Sequence, residues 1–213
     1  MARLSVYSDT DPTVAELSSA DPALVTAHLA LAGVLFERWP APKAIPDSAD
    51  AQAVLDAYAG PVLALKEARG FQSADVVRMP RGQPDAAARR AAFLAEHTHD
   101  EDEARFFVQG SGAFYLHMDE KVFRVVCGAG DLLSIPARTK HWFDMGPDPE
   151  FTAIRFFTRP DGWVASFTGD VIADRFPKFE FAAADCGRKA TLLQGLRYRP
   201  PIAGGASPAS EAP

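Results

Sequence analysis

Along this chain the apolar residues change their pattern near residue 97, from stretches rich in helix formers to short β-type runs. In the first stretch Asp21-Pro22 places a cap and a first-turn proline before ALVTAHLALAG, which predicts a helix stopping at Gly33. Val34 to Trp39 reads as a short strand closed by Pro40. Ser48 is placed to cap a helix over Ala51 to Tyr58, and a second helical run follows Pro61 and ends near Gly70. Pro84-Asp85 opens AAARRAAFLAEHTH, whose alanines and arginines have high helix propensity. Beyond it, Arg105 to Val108, Ala113 to Met118, Val122 to Cys127, Leu132 to Ile135 and Phe151 to Phe157 read as strands. Gly110-Ser111-Gly112, Asp119-Glu120, Gly128-Ala129-Gly130-Asp131 and Gly146-Pro147 separate them as turns. Short strands at this spacing imply a sandwich or a small closed barrel. Residues 197–213, RYRPPIAGGASPASEAP, cannot supply a core and are expected to be disordered.

Composition narrows the class. With 213 residues, 47% apolar and 23% charged, the chain matches one ordinary globular domain with a sizeable core. A net charge of −6 argues against a nucleic-acid surface, which would show a basic patch. No apolar run reaches the roughly 18 residues of a membrane span. MARLSVYSDTDPTVAEL lacks the apolar core of a signal peptide. Cys127 and Cys186 stand far apart in no metal-ligand spacing, so both are expected to be free thiols of a cytoplasmic protein. No extended apolar edge stands out, and a monomer is expected.

The chemistry concentrates between residues 97 and 141, which hold four of the five histidines. His97 and His99 lie two apart, and on a strand they face the same side. Glu103 shares their parity and returns to the same point if the residues between bend; Glu101 shares it too and competes as the carboxylate. His141 comes from a different strand. Three neutral imidazoles and one carboxylate suit Fe, Ni, Mn, Co or Zn rather than Mg or Ca. An octahedral ion so held keeps two positions open for a bidentate substrate. A lone H-x-H pair is commonly incidental; the added carboxylate and downstream histidine make the case.

His97-x-His99-x3-Glu103-x6-Gly110 resembles the first cupin motif, and Gly130-x5-Pro136-x4-His141 the second. Ala91, Arg138 and Met145 depart from that pattern at positions expected to shape turns. More narrowly, EHTHDEDEARFFVQGSGAFYLH, GDLLSIPARTKHWFDMG and FTAIRFF closely resemble the acireductone dioxygenase family, as do FERW at 36–39, LKEARGFQSADVV at 65–77 and GWVASFTGD at 162–170. The likeness spans roughly residues 2 to 180. It implies a mainly β, cupin-type double-stranded β-helix (jelly-roll) barrel with several flanking N-terminal helices. The domain expected is residues 1–182, with a helical extension over about 1–95 and a metal-binding core over about 96–170, followed by an extension at 183–213.

The resemblance also implies His97, His99, Glu103 and His141 as ligands of one Fe(II) or Ni(II) per monomer, favouring Glu103 over Glu101. The implied substrates are 1,2-dihydroxy-3-keto-5-methylthiopentene and O2. With iron, the implied products are formate and 4-methylthio-2-oxobutanoate; with nickel they are formate, carbon monoxide and 3-methylthiopropanoate. A dianionic substrate needs compensating charge. Arg105, on the parity of Glu103, is the first candidate, and Arg155 the second. Phe93, Phe143 and Phe114 are candidates for the apolar lining that a methylthio tail requires. His117 is expected to be a strand residue without metal, and FERW to cover the barrel mouth. Two other readings are another cupin dioxygenase and a non-catalytic cupin that binds a metal or small molecule. Turnover of acireductone separates both from the first.

Overall fold

Two sheets share one strand. The elements run β1 (Arg3–Ser8), β2 (Leu17–Ser19), α1 (Pro22–Leu31), β3 (Leu35–Arg38), α2 (Ala51–Ala57), α3 (Ala59–Arg69), β4 (Ser73–Met79), α4 (Ala86–Leu94), β5 (His97–Thr98) and β6 (Glu103–Met118). They continue as β7 (Lys121–Gly128), β8 (Asp131–Ile135), β9 (Lys140–Asp144), β10 (Phe151–Phe157), β11 (Ser166–Phe167) and α5 (Ile172–Arg175). This computed structural model describes residues 2–40, 45–46, 48–159 and 164–180, all within one compact unit. Among them, no helix is long and apolar enough to cross a membrane. Cys186 and the tail at 197–213 lie outside the described residues.

The sixteen-residue β6 belongs to both sheets. One sheet runs β11-β5-β9-β6-β7-β1-β2; in the other, β6 lies between β10 and β8, with β4 beyond β10 and β3 beyond β8. All pairings are antiparallel, giving a mainly β barrel of the kind the resemblance implies. The ladder with β10 skips a residue: Thr152 faces Gln109 while Ala153 faces Phe107, so Val108 bulges. An extra residue flips every later side chain to the opposite face. Accordingly Phe107 packs into the barrel before the bulge, and Phe114 and Leu116 after it, although their numbers differ in parity. Gly110 allows the accompanying bend: its φ is +72°, and a β-carbon there would sit 1.9 Å from the Glu150 carbonyl oxygen.

Three apolar clusters follow from this geometry. Inside the barrel, Phe107, Phe114, Leu133 and Phe143 pack with Val25 and Leu29 of α1. Outside one sheet, Phe106 and Phe156 are covered by Val54 of α2, Leu65 of α3 and Tyr58 between the two helices. Outside the other, Tyr115 and Trp142 stack at 5.0 Å beneath Ile172 and Phe176. Each large side chain fully buried in these clusters contributes roughly 1.5–3 kcal/mol relative to exposure.

Several expectations need correction. The first 95 residues are not simply helical: β1, β2 and β4 join the barrel sheets beside the expected β3. Gly110-Ser111-Gly112 is not a turn between two strands, because the bulge bends β6 without breaking it. Asp50, not Ser48, caps α2, accepting from the Ala53 amide at 2.8 Å. Ala91 lies inside α4 rather than in a turn. FERW does not cover the barrel mouth: Phe36 is buried inside the barrel, and Trp39 packs outside on Phe106 at 4.8 Å. Other expectations hold, including Asp21 capping α1 and the Asp119-Glu120 hairpin, whose positive φ values of 49° and 60° fit a tight primed turn.

Helix α4 buries no residue of its own, so apolar packing does not explain its position. Arg90 holds it instead, donating to both carboxylate oxygens of the fully buried Asp144 at 2.7 and 3.0 Å. Asp144 also accepts from the Gly146 and Phe179 amides. Asp144→Ala is expected to cost about 3 kcal/mol of stability, read as a lower urea midpoint at unchanged slope. Burial alone would raise the Asp144 pKa, but the Arg90 and amide hydrogen bonds outweigh it and hold it below the ordinary value. A carboxylate depressed in the folded state stabilises above its unfolded pKa of about 3.9 and loses that contribution as pH falls through the folded value. The urea midpoints of wild type and variant should therefore converge in acid.

Candidate metal centre

Strand pairing brings the distant histidine to the local pair. His97 on β5 stands opposite His141 on β9, and His141 stands opposite Leu116 on β6. Residues 100–102 bend between β5 and β6, returning the chain to the same side at Glu103. Nitrogen atoms of His97, His99 and His141 lie within 4.8 Å of one another, and all three residues are buried. Glu103 Oε2 is 3.0 Å from His141 Nε2 and 3.5 Å from His99 Nε2. The competing Glu101 points elsewhere, accepting from the Thr158 hydroxyl and approaching Arg159.

Each imidazole is oriented by main chain. Nδ1 of His97 faces the Ala95 carbonyl at 2.8 Å, that of His99 the Val164 carbonyl at 3.0 Å, and that of His141 the Thr139 carbonyl at 2.8 Å. A carbonyl only accepts, so each Nδ1 carries the proton and each Nε2 turns a lone pair outward. Three such lone pairs beside a carboxylate oxygen set acceptors against acceptors, a repulsion that either a proton on Nε2 or a metal ion between the donors relieves. The donor set therefore fits a divalent transition metal.

Burial, and then the neighbouring His141, pushes the His97 pKa down to about 4, which keeps it neutral near pH 7. Burial lowers His99 too, but the Glu103 carboxylate and the Val164 carbonyl outweigh that and raise it. Burial would raise Glu103, yet the charge of Arg105 and hydrogen bonds with His141 and His99 hold it well below the carboxylate range. Glu103 is thus an anion despite being buried.

Arg105 reaches the centre as its parity predicts. Its Nη2 donates to Glu103 Oε1 at 3.0 Å, and its guanidinium lies over the rings of Phe143 (4.7 Å) and Phe114 (5.1 Å). Burial lowers its pKa, opposed by Glu103; an arginine stays charged through such a shift. Arg155 faces Arg105 across the ladder and also lines the cavity, where Asp75 grips it at 2.8 and 2.6 Å. Phe93 closes over Phe143 at 6.4 Å and is partly exposed, so it forms the mouth, whereas Phe143 and Phe114 are buried walls. The cavity of about 150 Å³ holds all nine of these residues. It is smaller than the roughly 300–1,000 Å³ typical of drug-sized ligands.

Sequence reasoning missed Ala92, Ala165 and Phe167, which complete the wall, and the three orienting carbonyls. It also missed the fully buried Glu96, which faces away from His97 as alternation requires and meets His117 Nδ1 at 2.6 Å. Arg138 adopts a left-handed φ of 64° while its amide bonds the His99 carbonyl, which explains why glycine is the usual residue in that motif.

Known proteins resemble this chain in sequence and fold. The model of the ARD/ARD' family matches residues 4–165. Acireductone dioxygenase of Parvibaculum lavamentivorans is 56% identical over 180 residues, covering 84% of this chain and 98% of that protein. Its counterpart in Marinobacter nauticus is 48% identical over 183 residues, covering 86% and 98%. Among solved structures, acireductone dioxygenase from Bacillus anthracis, with a cadmium ion in its active centre, superposes with a TM-score of 0.69 at 26% identity. That match covers 78% of this chain and 98% of the other.

Proposed function

Since the chain belongs to the ARD/ARD' family of acireductone dioxygenases, we propose that His97, His99, Glu103 and His141 hold one Fe(II) or Ni(II) ion, beside which 1,2-dihydroxy-3-keto-5-methylthiopentene is cleaved by O2. When bound, the ion supplies Lewis-acid stabilisation to the deprotonated enediol. The observation that carries the reading is the convergence of three imidazole nitrogens and one carboxylate oxygen within a buried cavity.

The remaining residues account for the charge and shape of the substrate. Glu103 and Arg105 cancel, so the protein part of the centre is neutral, and a divalent ion leaves an excess of two positive charges. A dianionic enediolate restores neutrality. Arg105, fixed by Glu103 and two aromatic faces, offers its guanidinium to the developing charge without first having to reorganise. Phe143 and Phe114 exclude water around it, and Phe93 with Phe143 gives the methylthio tail an apolar surface. Arg155, already paired with Asp75, contributes positive potential at the cavity edge.

The working unit in this reading is a cytoplasmic monomer with one ion. Apoprotein reloaded with Fe(II) or Ni(II) and given acireductone in air is expected to consume O2 and release formate. Carbon monoxide and 3-methylthiopropanoate are expected only from the nickel form, and 4-methylthio-2-oxobutanoate only from the iron form. Stoichiometric metal binding without any turnover of acireductone would instead leave the other two readings, a different cupin dioxygenase or a non-catalytic cupin.

A further inference from the structure

Residues 164–168 form one wall of the cavity and touch the centre twice. The Val164 carbonyl orients His99, and the Phe167 ring meets His97 edge-on at 5.8 Å. Yet every residue from Val164 to Val171 is exposed, and β11 is two residues long and, among the described residues, paired with β5 alone. A two-residue edge strand without buried side chains does not hold position by itself.

What fixes it is Glu96. Its side chain is fully buried, and it accepts from the Thr168 hydroxyl through Oε2 at 2.7 Å, while its carbonyl accepts from the Thr168 amide at 3.1 Å. The other oxygen, Oε1, meets His117 Nδ1 at 2.6 Å, which locks the carboxylate rotamer. Thr168 Oγ1 in turn accepts from the Asp170 amide at 3.2 Å, so the hydroxyl's donor direction is committed to Glu96. His117 sits on the long strand β6, Glu96 immediately precedes β5 and is held by the His117 bond, and Thr168 is the outermost residue of the chain of bonds.

We propose that Glu96 and Thr168, with His117 behind them, are positioning residues for the metal centre: the Thr168–Glu96 clamp holds the Val164 carbonyl against His99 and the Phe167 ring against His97. The inference rests on the metal site argued above and extends it outward by one layer. None of the three residues lines the cavity. Their effect passes through the orientation of His99, whose Nδ1 partner belongs to an otherwise weakly anchored segment. Outer partners of metal-bound histidines commonly carry about 10–100-fold in affinity.

The test uses the metal-free full chain titrated with cobalt(II) chloride against a competing chelator, with the visible spectrum of the cobalt form recorded. Thr168→Val keeps the shape and removes the hydroxyl; Thr168→Ser keeps the hydroxyl. Thr168→Val should weaken Co(II) by about 10-fold and alter the ligand-field bands, and Thr168→Ser should return both to within about twofold of wild type. A purely structural threonine would lower the melting temperature and leave affinity and spectrum unchanged, which overturns the proposal. So does a serine variant as weak as the valine one. Wild-type protein that bound no Co(II) would refute the metal centre itself, a separate outcome.

Discussion

His141→Ala is expected to abolish metal occupancy under conditions where wild type binds one ion per chain, and with it at least about 10³-fold of acireductone turnover. The loss exceeds the 10–100-fold typical of an outer partner because a donor atom itself is removed. His141 is also the point where the sheet joins the separate parts of the site: it pairs with His97 in register and lies 3.0 Å from Glu103. The backbone of β9 keeps its own ladder with β6, so the variant should fold. Stripping wild type with a chelator should mimic the variant, with one difference. Added Fe(II) or Ni(II) restores wild type and does nothing for His141→Ala. A variant that retained stoichiometric metal and near-normal turnover would remove His141 from the ligand set.

Arg105→Met should separate binding of the ion from chemistry. The methionine fills the space between Phe114 and Phe143, and removing a cation near the ion leaves metal affinity unchanged or higher. kcat/KM should nevertheless fall by about 10²–10³, the magnitude seen when one preorganised electrostatic donor is removed. Arg105→Lys should recover only part of this. A lysine supplies a point charge without the planar fork that donates to Glu103 while lying over two rings. Metal content and kinetics measured on the same preparation decide the matter. Loss of metal in Arg105→Met would make Arg105 a support for Glu103 instead, and undiminished kcat/KM would leave it without a role.

Strand parity placed His97, His99, Glu103 and Arg105 on one side, as these residues precede the bulge. It admitted Glu101 equally, and only the resemblance favoured Glu103; the bend at 100–102 leaves Glu101 on Thr158 instead. Past Val108 the same count fails by one, so parity with Arg105 does not give the inward position of Phe114. The strands β1 and β4 escaped notice for different reasons. β1 is buried on both faces over Leu4 to Tyr7, so it shows no clean alternation, and β4 is half-buried nearly throughout. Helix signals in the same region, such as Asp21-Pro22 and Gly70, were strong enough to set its character. Asp75, which grips Arg155, and Glu96, which meets His117, are paired across 80 and 21 residues, distances at which only the folded sheet makes partners.

The carbonyls of Ala95, Thr139 and Val164 have a consequence for how this protein tolerates change. Every amino acid carries the same carbonyl, and Ala95 and Val164 turn their side chains to solvent. The instruction that aims each imidazole is therefore written in chain path and is blind to residue identity. Random substitution at 95, 139 and 164 should be accepted widely, whereas a single-residue deletion beside any of them should silence the enzyme.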